Sequence, residues 1–260
     1  MIRSLWIAKT GMEAQQMQLD AVSHNLANSS TTGFKRSHVE FEDLIYQNLR
    51  QVGSPNGDEG QLPTGLQLGL GVRPVATARN FEQGGLQQTT NELDMAINGR
   101  GFFQIELPDG TTAYTRNGHF KLDSQGQIVD NNGLRLQPGF TVPADTIKVS
   151  ISSRGEVSAT LPGQATPQVL GQIQLANFVN AAGLEPKGDN LFTQTAASGE
   201  PVVAEPGTQN MGLVNQGYVE NSNVNVVEEL VTMIQTQRAY ELNAKAITTS
   251  DQMLAKLAQL

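Results

Sequence analysis

The residues of this chain that could do acid–base or metal chemistry are few and lie far apart. The three histidines, His24, His38 and His119, have no histidine or acidic partner at the spacing that a metal site needs. The chain has no cysteine, which excludes thiolate metal ligands, disulfides and cysteine nucleophiles. We therefore expect the histidines to be structural or solvated, and we predict no metal site.

Two pairs of neighbouring carboxylates, Glu92 with Asp94 and Glu228 with Glu229, could be imagined as an acid and a base. The first pair lies in a strand-like stretch and is expected to face water. The second pair falls in the first turn of a predicted helix, where acidic side chains favour the helix dipole. The glycine-rich run at residues 65–71 lacks the Lys-Ser/Thr of a phosphate-binding loop. We predict no catalytic residue and no cofactor, and hence a protein that is not an enzyme.

Composition narrows the possible partners. The net charge is −8 and there is no cluster of Lys and Arg, so nucleic-acid binding has little electrostatic support. Polar residues interrupt the N-terminal stretch from Gln15 to Asp20, and no continuous apolar segment precedes them. We expect neither a cleaved secretory signal nor membrane insertion.

The apolar pattern predicts two long helices, one towards each end of the chain. Residues 4–27 and residues 225–260 repeat apolar side chains at alternating steps of three and four, which is the spacing of a coiled-coil seam. The first helix is expected to pack on the last, or on copies of both from other subunits. The seam positions, predicted to form an assembly interface, are Leu5, Ala8, Met12, Leu19, Val22, Leu26, Val226, Leu230, Met233, Tyr240, Ala244, Ile247 and Leu254, with Ala258 beyond them.

Between the helices the pattern is that of β-structure. Short alternating runs at residues 96–97, 102–105, 120–122 and 147–151 are strand candidates. Asn-Gly and Asp-Gly pairs are strong hairpin signals because type I′ turns need two positive φ angles. Such pairs, each flanked by apolar or β-branched residues, are Asn98-Gly99, Asp109-Gly110, Asn117-Gly118 and Asn132-Gly133.

The predicted fold class is α+β, with the terminal helices paired as a coiled coil and a central all-β domain built as an irregular sandwich or barrel. An extended β-like arm precedes that domain, and residues 46–50 and 66–72 could pair across a loop at 53–65. The predicted domains are residues 1–30 with 224–260 for the coiled coil, 31–75 for the arm, 76–215 for the β domain and 216–223 for the return linker.

Three stretches resemble the bacterial flagellar rod and hook protein family. The first runs from Asn25 to Lys35, the second covers residues 98–103 and 114–118, and the third runs from Gly217 to Asn225 and leads into residues 237–241. They occur in order at matching distances, essentially from end to end of the chain. The residues that match the family's terminal motifs are Asn25, Ala27, Asn28, Thr31, Gly33, Phe34, Lys35, Gln237, Arg238, Ala239 and Tyr240.

The resemblance is greatest to the distal-rod members, on length and on the sequence from Tyr46 to Gly71. It implies a homo-oligomeric, helically polymerised hollow tube in the basal body, spanning the periplasm, that transmits torque from motor to hook and passes exported subunits. It also implies contacts with other rod and hook-junction proteins and with the surrounding basal-body rings. Delivery would be by the flagellar type III export apparatus without a cleaved signal peptide.

Two other classes of function stay open at this point. A secreted, β-rich, adhesin-like module with helical oligomerisation ends would have a similar layout. A glycan-active enzyme with a β core is a weaker alternative, because no isolated carboxylate pair or nucleophile motif supports it. Polymer formation separates the rod subunit from the adhesin, and turnover of cell-wall fragments would support the enzyme.

Overall fold

A computed structural model describes residues 2–52, 64–164 and 166–257. The chain divides into two units. The helical unit comprises Met1–Ala27, Ser37–Ala78 and Asn225–Leu260, and the β unit comprises Asn28–Arg36 and Arg79–Val224. Helical ends and a central β-rich region confirm the α+β class. Most of the predicted loop at 53–65 lies outside the described residues, and so does the predicted seam position Ala258.

The helical unit contains α1, Ile2–Ala27, and α2, Val226–Leu257. Helix α2 begins where the sequence predicted, because the Asn225 side chain accepts a hydrogen bond from the Val227 amide at 3.2 Å. The two helices pack on each other in antiparallel directions. Gly11 lies against Asn243 near the middle of both helices, and Asn25 near the end of α1 donates to Glu229 near the start of α2 at 3.3 Å. No helix within the described ranges is long and apolar enough to cross a membrane.

The rest of the helical unit is a set of four strands that pair two by two, here called the ribbon. Its strands are β1 (Ser37–Asp43), β2 (Tyr46–Arg50), β3 (Leu66–Gly69) and β4 (Val72–Arg79). Strand β1 pairs with β4, and β2 pairs with β3 in antiparallel register from Tyr46↔Gly69 to Arg50↔Leu66. A bond from the Leu44 amide to the Gly71 carbonyl, 2.9 Å long, joins the two pairs. Gly71 has φ +118 and abuts Thr10 of α1.

The β unit holds the remaining strands and one 3₁₀ helix at Ala181–Gly183. The strands are β5 (Leu86–Gln88), β6 (Met95–Asn98), β7 (Phe102–Glu106), β8 (Thr112–Thr115), β9 (Lys121–Leu122), β10 (Ile128–Val129), β11 (Arg135–Gln137), β12 (Lys148–Ile151), β13 (Glu156–Thr160), β14 (Gln168–Gln172), β15 (Leu175–Asn177), β16 (Glu185–Gly188), β17 (Leu191–Thr193), β18 (Val202–Ala204), β19 (Leu213–Gln216) and β20 (Tyr218–Glu220).

The largest sheet has nine strands and is organised around β7. Its order is β16-β17-β8-β7-β11-β10-β9, and β15 also pairs with β7 and carries β18. The register fixes Phe103 opposite Thr115 on β8 and Ile105 opposite Leu136 on β11. Smaller antiparallel sheets are β12-β13-β14, β6 with β19, and β5 with β20. Among the described residues these sheets do not close into a barrel.

Two of the four predicted hairpin turns are confirmed. Asp109-Gly110 joins β7 to β8, and Asn132-Gly133 joins β10 to β11. The other two predictions are wrong, because Asn98-Gly99 and Asn117-Gly118 each connect strands that do not pair with one another. Glycine is required at both positions because another part of the backbone passes too close to leave room for a side chain. A Cβ on Gly118 would lie 1.6 Å from the Met95 carbonyl oxygen, and one on Gly99 would lie 2.9 Å from the Gly212 Cα.

Two hydrophobic clusters lie on opposite faces of β7. Successive side chains of a strand point to opposite faces, so Phe103 enters the larger cluster with Ile97, Phe120 and Ile173. Phe102 enters a smaller, aromatic cluster whose rings meet edge to face. Strand β7 is therefore buried on both of its faces.

Candidate functional site

The three motif stretches meet at a buried ion-pair cluster in the β unit, here called the junction. The Glu220 carboxylate accepts from Lys35 Nζ at 2.5 Å and from the Arg116 guanidinium at 3.2 Å. It also accepts from the Gly84 amide at 2.9 Å. All three charged side chains are buried, and Lys35 is wholly inaccessible. Buried charges need such partners, because a lone ion in the protein interior is strongly destabilising.

Glycine lets the first motif reach the junction. Gly33 has φ +71, and its amide donates to the Glu220 carbonyl at 2.7 Å. A Cβ at this position would lie 2.6 Å from the Asn117 amide nitrogen. Of the amino acids, only glycine adopts that backbone conformation freely and lets another backbone approach so closely. Gly33 therefore fixes how residues 28–36 lie on the β unit.

Backbone carbonyls complete the coordination of the two cations. Lys35 Nζ donates to the Glu82 carbonyl at 2.6 Å, and Arg116 donates to the Gly99 carbonyl at 2.7 Å. The Arg116 guanidinium also lies 5.4 Å from the centre of the Phe102 ring, a cation–π contact. The junction thereby ties three parts of the β unit together through buried side chains.

The junction holds two cations and one carboxylate. Burial lowers the pKa of Lys35, against the raising influence of the Glu220 charge. Burial likewise lowers the pKa of Arg116, again opposed by Glu220. Glu220 is therefore the anion on which both cations depend.

A second tie, next to the junction, is made by Asn223. Its side-chain oxygen accepts from the Arg36 amide at 2.8 Å, and its nitrogen donates to the Asn80 carbonyl at 2.8 Å. The Asn80 amide in turn donates to the Arg36 carbonyl at 2.9 Å. Three segments distant in sequence are thus fixed by one amide side chain.

In the helical unit, the motif residue Asn25 has a comparable role. Its side chain both accepts from the Ser37 amide at 3.0 Å and donates to the Ser37 carbonyl at 2.8 Å. It also donates to Glu229, which is buried in the first turn of α2. Asn25 therefore joins the end of α1 to β1 and to α2 at once.

The residues considered for catalysis or metal binding do not form such a site. The expectation that Asp94 faces water is wrong. Asp94 is buried, and two partners satisfy its carboxylate. It accepts a hydrogen bond from the Asn91 side chain at 2.9 Å and lies 3.1 Å from His119 Nδ1. His119 thus has an acidic partner that sequence spacing did not reveal. His38 lies 3.6 Å from Glu40 on the surface. In the described ranges, no three His, Cys, Asp or Glu residues gather as metal ligands.

The predicted seam residues are placed differently on the two helices. On α1, Ala8 and Val22 are buried, and the other seam positions are half-buried. On α2, the buried positions are Glu229 and Thr236, whereas seam residues Val226, Leu230 and Tyr240 are exposed. The half-buried seam residues of α2 are Met233, Ala244, Ile247 and Leu254. The motif residues Gln237 and Arg238 are exposed, and Ala239 is half-buried.

Three family models of flagellar proteins match this chain, and their matched residues include the three motif stretches. The family model described as "Flagella basal body rod protein" matches residues 5–35. The "Flagellar hook protein FlgE/F/G D1 domain" matches residues 96–159, and the "Flagellar basal body rod FlgEFG protein C-terminal" matches residues 215–260.

Relatives match over the whole chain. The flagellar basal-body rod protein FlgG of Buchnera aphidicola subsp. Schizaphis graminum is 56% identical over 260 residues, covering 100% of both chains. That of Caulobacter vibrioides is 48% identical over 100% of this chain and 99% of its own. That of Bacillus subtilis is 37% identical, with the same coverage. The chain belongs to the flagellar basal-body rod protein family.

Membership of the rod family makes the chain a structural rod subunit of the flagellar basal body and confirms the resemblance seen in the sequence. The relatives are structural proteins and give no support to the adhesin-like alternative. The junction now has a clear meaning within this family. Lys35, Arg116 and Glu220 come one each from the three matched regions, so the regions that define the family are held together by one ionic cluster.

Sequence reasoning missed the junction as a unit. Lys35 was recognised as a motif residue, but nothing local indicated that its ammonium is buried or that Glu220 and Arg116 are its neighbours. The one sequence signal is that all three lie inside the motif stretches.

Proposed function

We propose that the chain is a subunit of the flagellar distal rod that polymerises helically into a rigid, hollow drive shaft. The shaft transmits torque from motor to hook and passes exported subunits. The observation that carries this proposal is identity along the full length to proteins named as FlgG basal-body rod proteins. The chemistry of the described residues is consistent with it, since the charged cluster is buried and structural.

The helical unit is proposed to be the main assembly surface. Its two helices pair as a coiled coil, and the predicted seam residues of both helices form the interface within and between subunits. Support comes from apolar side chains that the single subunit leaves in water. The seam residues Val226 and Leu230 are 41% and 42% exposed. Outside the predicted seam, Val227 is 70%, Ile234 is 52% and Trp6 of α1 is 54% exposed. Large exposed apolar surface on a folded protein is typical of an interaction site.

Substitution of Ile234 by Asp is expected to impair polymerisation while leaving the subunit folded. Ile234 is exposed, so the change removes no contact of the core. Full burial of an isoleucine side chain is worth about 1.5–3 kcal/mol. Ile234 has about half of its area left to bury, so the loss should be about 0.8–1.5 kcal/mol, and the critical concentration for polymerisation should rise roughly four- to twelvefold. Sedimentation and electron microscopy measure this.

The matched control is Gln235→Asp, which adds the same charge to the neighbouring, exposed polar position of α2. Its critical concentration should stay near that of the unmodified chain. Equal effects of the two substitutions would show that added charge, and not loss of apolar contact, is responsible. The assignment of this face to assembly would then be wrong.

The ribbon is proposed to act as an arm that bridges neighbouring subunits and stiffens the shaft. Support comes from its side chains, since every residue of β2 is exposed and Val39 alone is buried in β1. Deletion of residues 46–63 should give a polymer that still forms but bends more readily. Its persistence length, measured from electron micrographs, should fall. An unchanged persistence length would count against the arm.

The proposed domains are residues 1–30 with 224–260, 31–75, 76–215 and 216–223, in the roles given above. The proposed partners are further copies of this chain, other rod and hook-junction proteins, the surrounding rings and the flagellar export apparatus. The proposed location spans the periplasm. Support for these comes from membership of the rod family alone.

A further inference from the structure

An open cavity of about 480 Å³ lies beside the junction on the β unit. Residues 81–83, 99–102 and 177–179 line it, together with Arg116 and Ala181. Arg116 thus belongs both to the junction and to the cavity wall.

Positive charge exceeds negative charge at this place. The cavity wall carries the cations Arg100 and Arg116 and the carboxylate Glu82. Arg116 shares the Glu220 carboxylate with Lys35, and neither Lys35 nor Glu220 lines the cavity, so two carboxylates serve three cations. Within the described ranges, the exposed Arg100 side chain forms no salt bridge, and the buried Arg116 Nε has no hydrogen-bond partner. The Glu82 carboxylate is itself engaged by the Asn80 side chain at 2.9 Å.

The walls make this surplus charge effective. Phe81, Phe102 and Phe178 pack edge to face around the cavity, and such apolar walls focus an electric field. A guanidinium group binds a carboxylate through two parallel hydrogen bonds, so Arg100 favours a carboxylate ligand. Val179, at the rim, is 93% exposed. An exposed valine next to a cationic site fits a ligand that brings apolar surface with its carboxylate, as a protein does.

We propose that this cavity binds an acidic side chain from a second copy of the chain. The inference rests on the proposed function and deepens it. The chain carries 25 acidic and 17 basic residues, so a locally basic cavity is complementary to the net negative charge of another copy. A helical polymer requires contacts between two different surfaces of the same chain. The cavity supplies one such surface on the β unit.

Cross-linking tests the proposal directly. Arg100→Lys places an amine at the cavity, and a carbodiimide couples amines to carboxylates only where the two groups touch. In polymers of the full-length variant, mass spectrometry should find residue 100 joined to an Asp or Glu of another copy. The matched control is Arg154→Lys, at an exposed arginine that does not line the cavity. It should give little or no cross-link. Mixing isotope-labelled and unlabelled chains distinguishes cross-links between copies from those within one.

Charge reversal gives a second readout. Arg100→Glu should raise the critical concentration for polymerisation roughly tenfold. It should also remove the part of the salt dependence of polymerisation that this contact causes. Arg154→Glu should change the critical concentration little. Polymers of Arg100→Glu that form at the normal concentration, with no cross-link from Arg100→Lys, would overturn the inference while leaving the rod assignment intact. Failure of the unmodified chain to polymerise would overturn both.

A free anion is the remaining outcome. If sodium acetate raises the melting temperature of the monomer, and Arg100→Ala removes that rise, the cavity binds carboxylates. Without the cross-link between copies, that result would assign the cavity to a free carboxylate and overturn the second copy as its ligand.

Discussion

Substitution of Glu220 by Gln should be among the most destabilising single changes in the β unit. The amide keeps the volume of the side chain but removes the only carboxylate of the junction, leaving Lys35 and Arg116 buried side by side. Breaking a buried ion pair in this way costs about 3–5 kcal/mol. Urea denaturation of the full-length monomer, followed by circular dichroism, measures the loss in the free energy of unfolding.

The control is Lys35→Met, which removes one cation and keeps the aliphatic stem. Glu220 then retains Arg116 at 3.2 Å and the Gly84 amide at 2.9 Å, so one cation faces one carboxylate. The expected cost is about 1–2 kcal/mol, mainly for the lost hydrogen bonds. A cost for Lys35→Met equal to that for Glu220→Gln would mean that the two cations do not share the carboxylate as the geometry indicates.

The junction also bears on when the β unit can finish folding. Lys35 and Glu220 are 185 residues apart in sequence, and Arg116 and Glu220 are 104 apart. Contacts of such separation form late, because loop closure must be achieved before they stabilise anything. Until Glu220 packs into the junction, the Lys35 ammonium has no carboxylate partner there and must remain hydrated. We therefore expect the β unit to close only when its last segment is present.

The local features of this fold could be predicted from the sequence, whereas the non-local ones could not. The apolar spacing predicted both helices. Asn225 predicted the start of α2, because the capping hydrogen bond joins residues only two positions apart. Asp109-Gly110 and Asn132-Gly133 were correctly placed in hairpins, since the flanking strands are neighbours in sequence and in the sheet.

The failures share one cause. Asn117-Gly118 resembles a hairpin turn, but the glycine is needed because β6 passes against it. Asp94 was expected to face water, but His119 and Asn91 give it buried partners. Lys35 was identified by family resemblance, without its role. In each case the deciding neighbour comes from another part of the chain, and no periodicity or spacing carries that information.

Gly33→Ala tests the non-local approach of the first motif to the junction. Alanine at φ +71 is strained, and its Cβ would meet the backbone of Asn117 at 2.6 Å and of Arg116 at 2.7 Å. The left-handed conformation alone costs about 1–2 kcal/mol, and displacing backbone atoms at the junction should bring the total to about 3 kcal/mol or more. The melting temperature and the urea midpoint of the full-length monomer should both fall.

Gly133→Ala separates the two causes. Gly133 has φ +79, close to that of Gly33, but nothing lies within 4 Å of the position that a Cβ would occupy. Its substitution should therefore cost only the conformational strain. The difference between the two variants measures the close approach of residue 33 to the Arg116–Asn117 backbone. If both variants lose the same stability, the first motif contains Gly33 for its turn alone, and the contact with the junction contributes nothing.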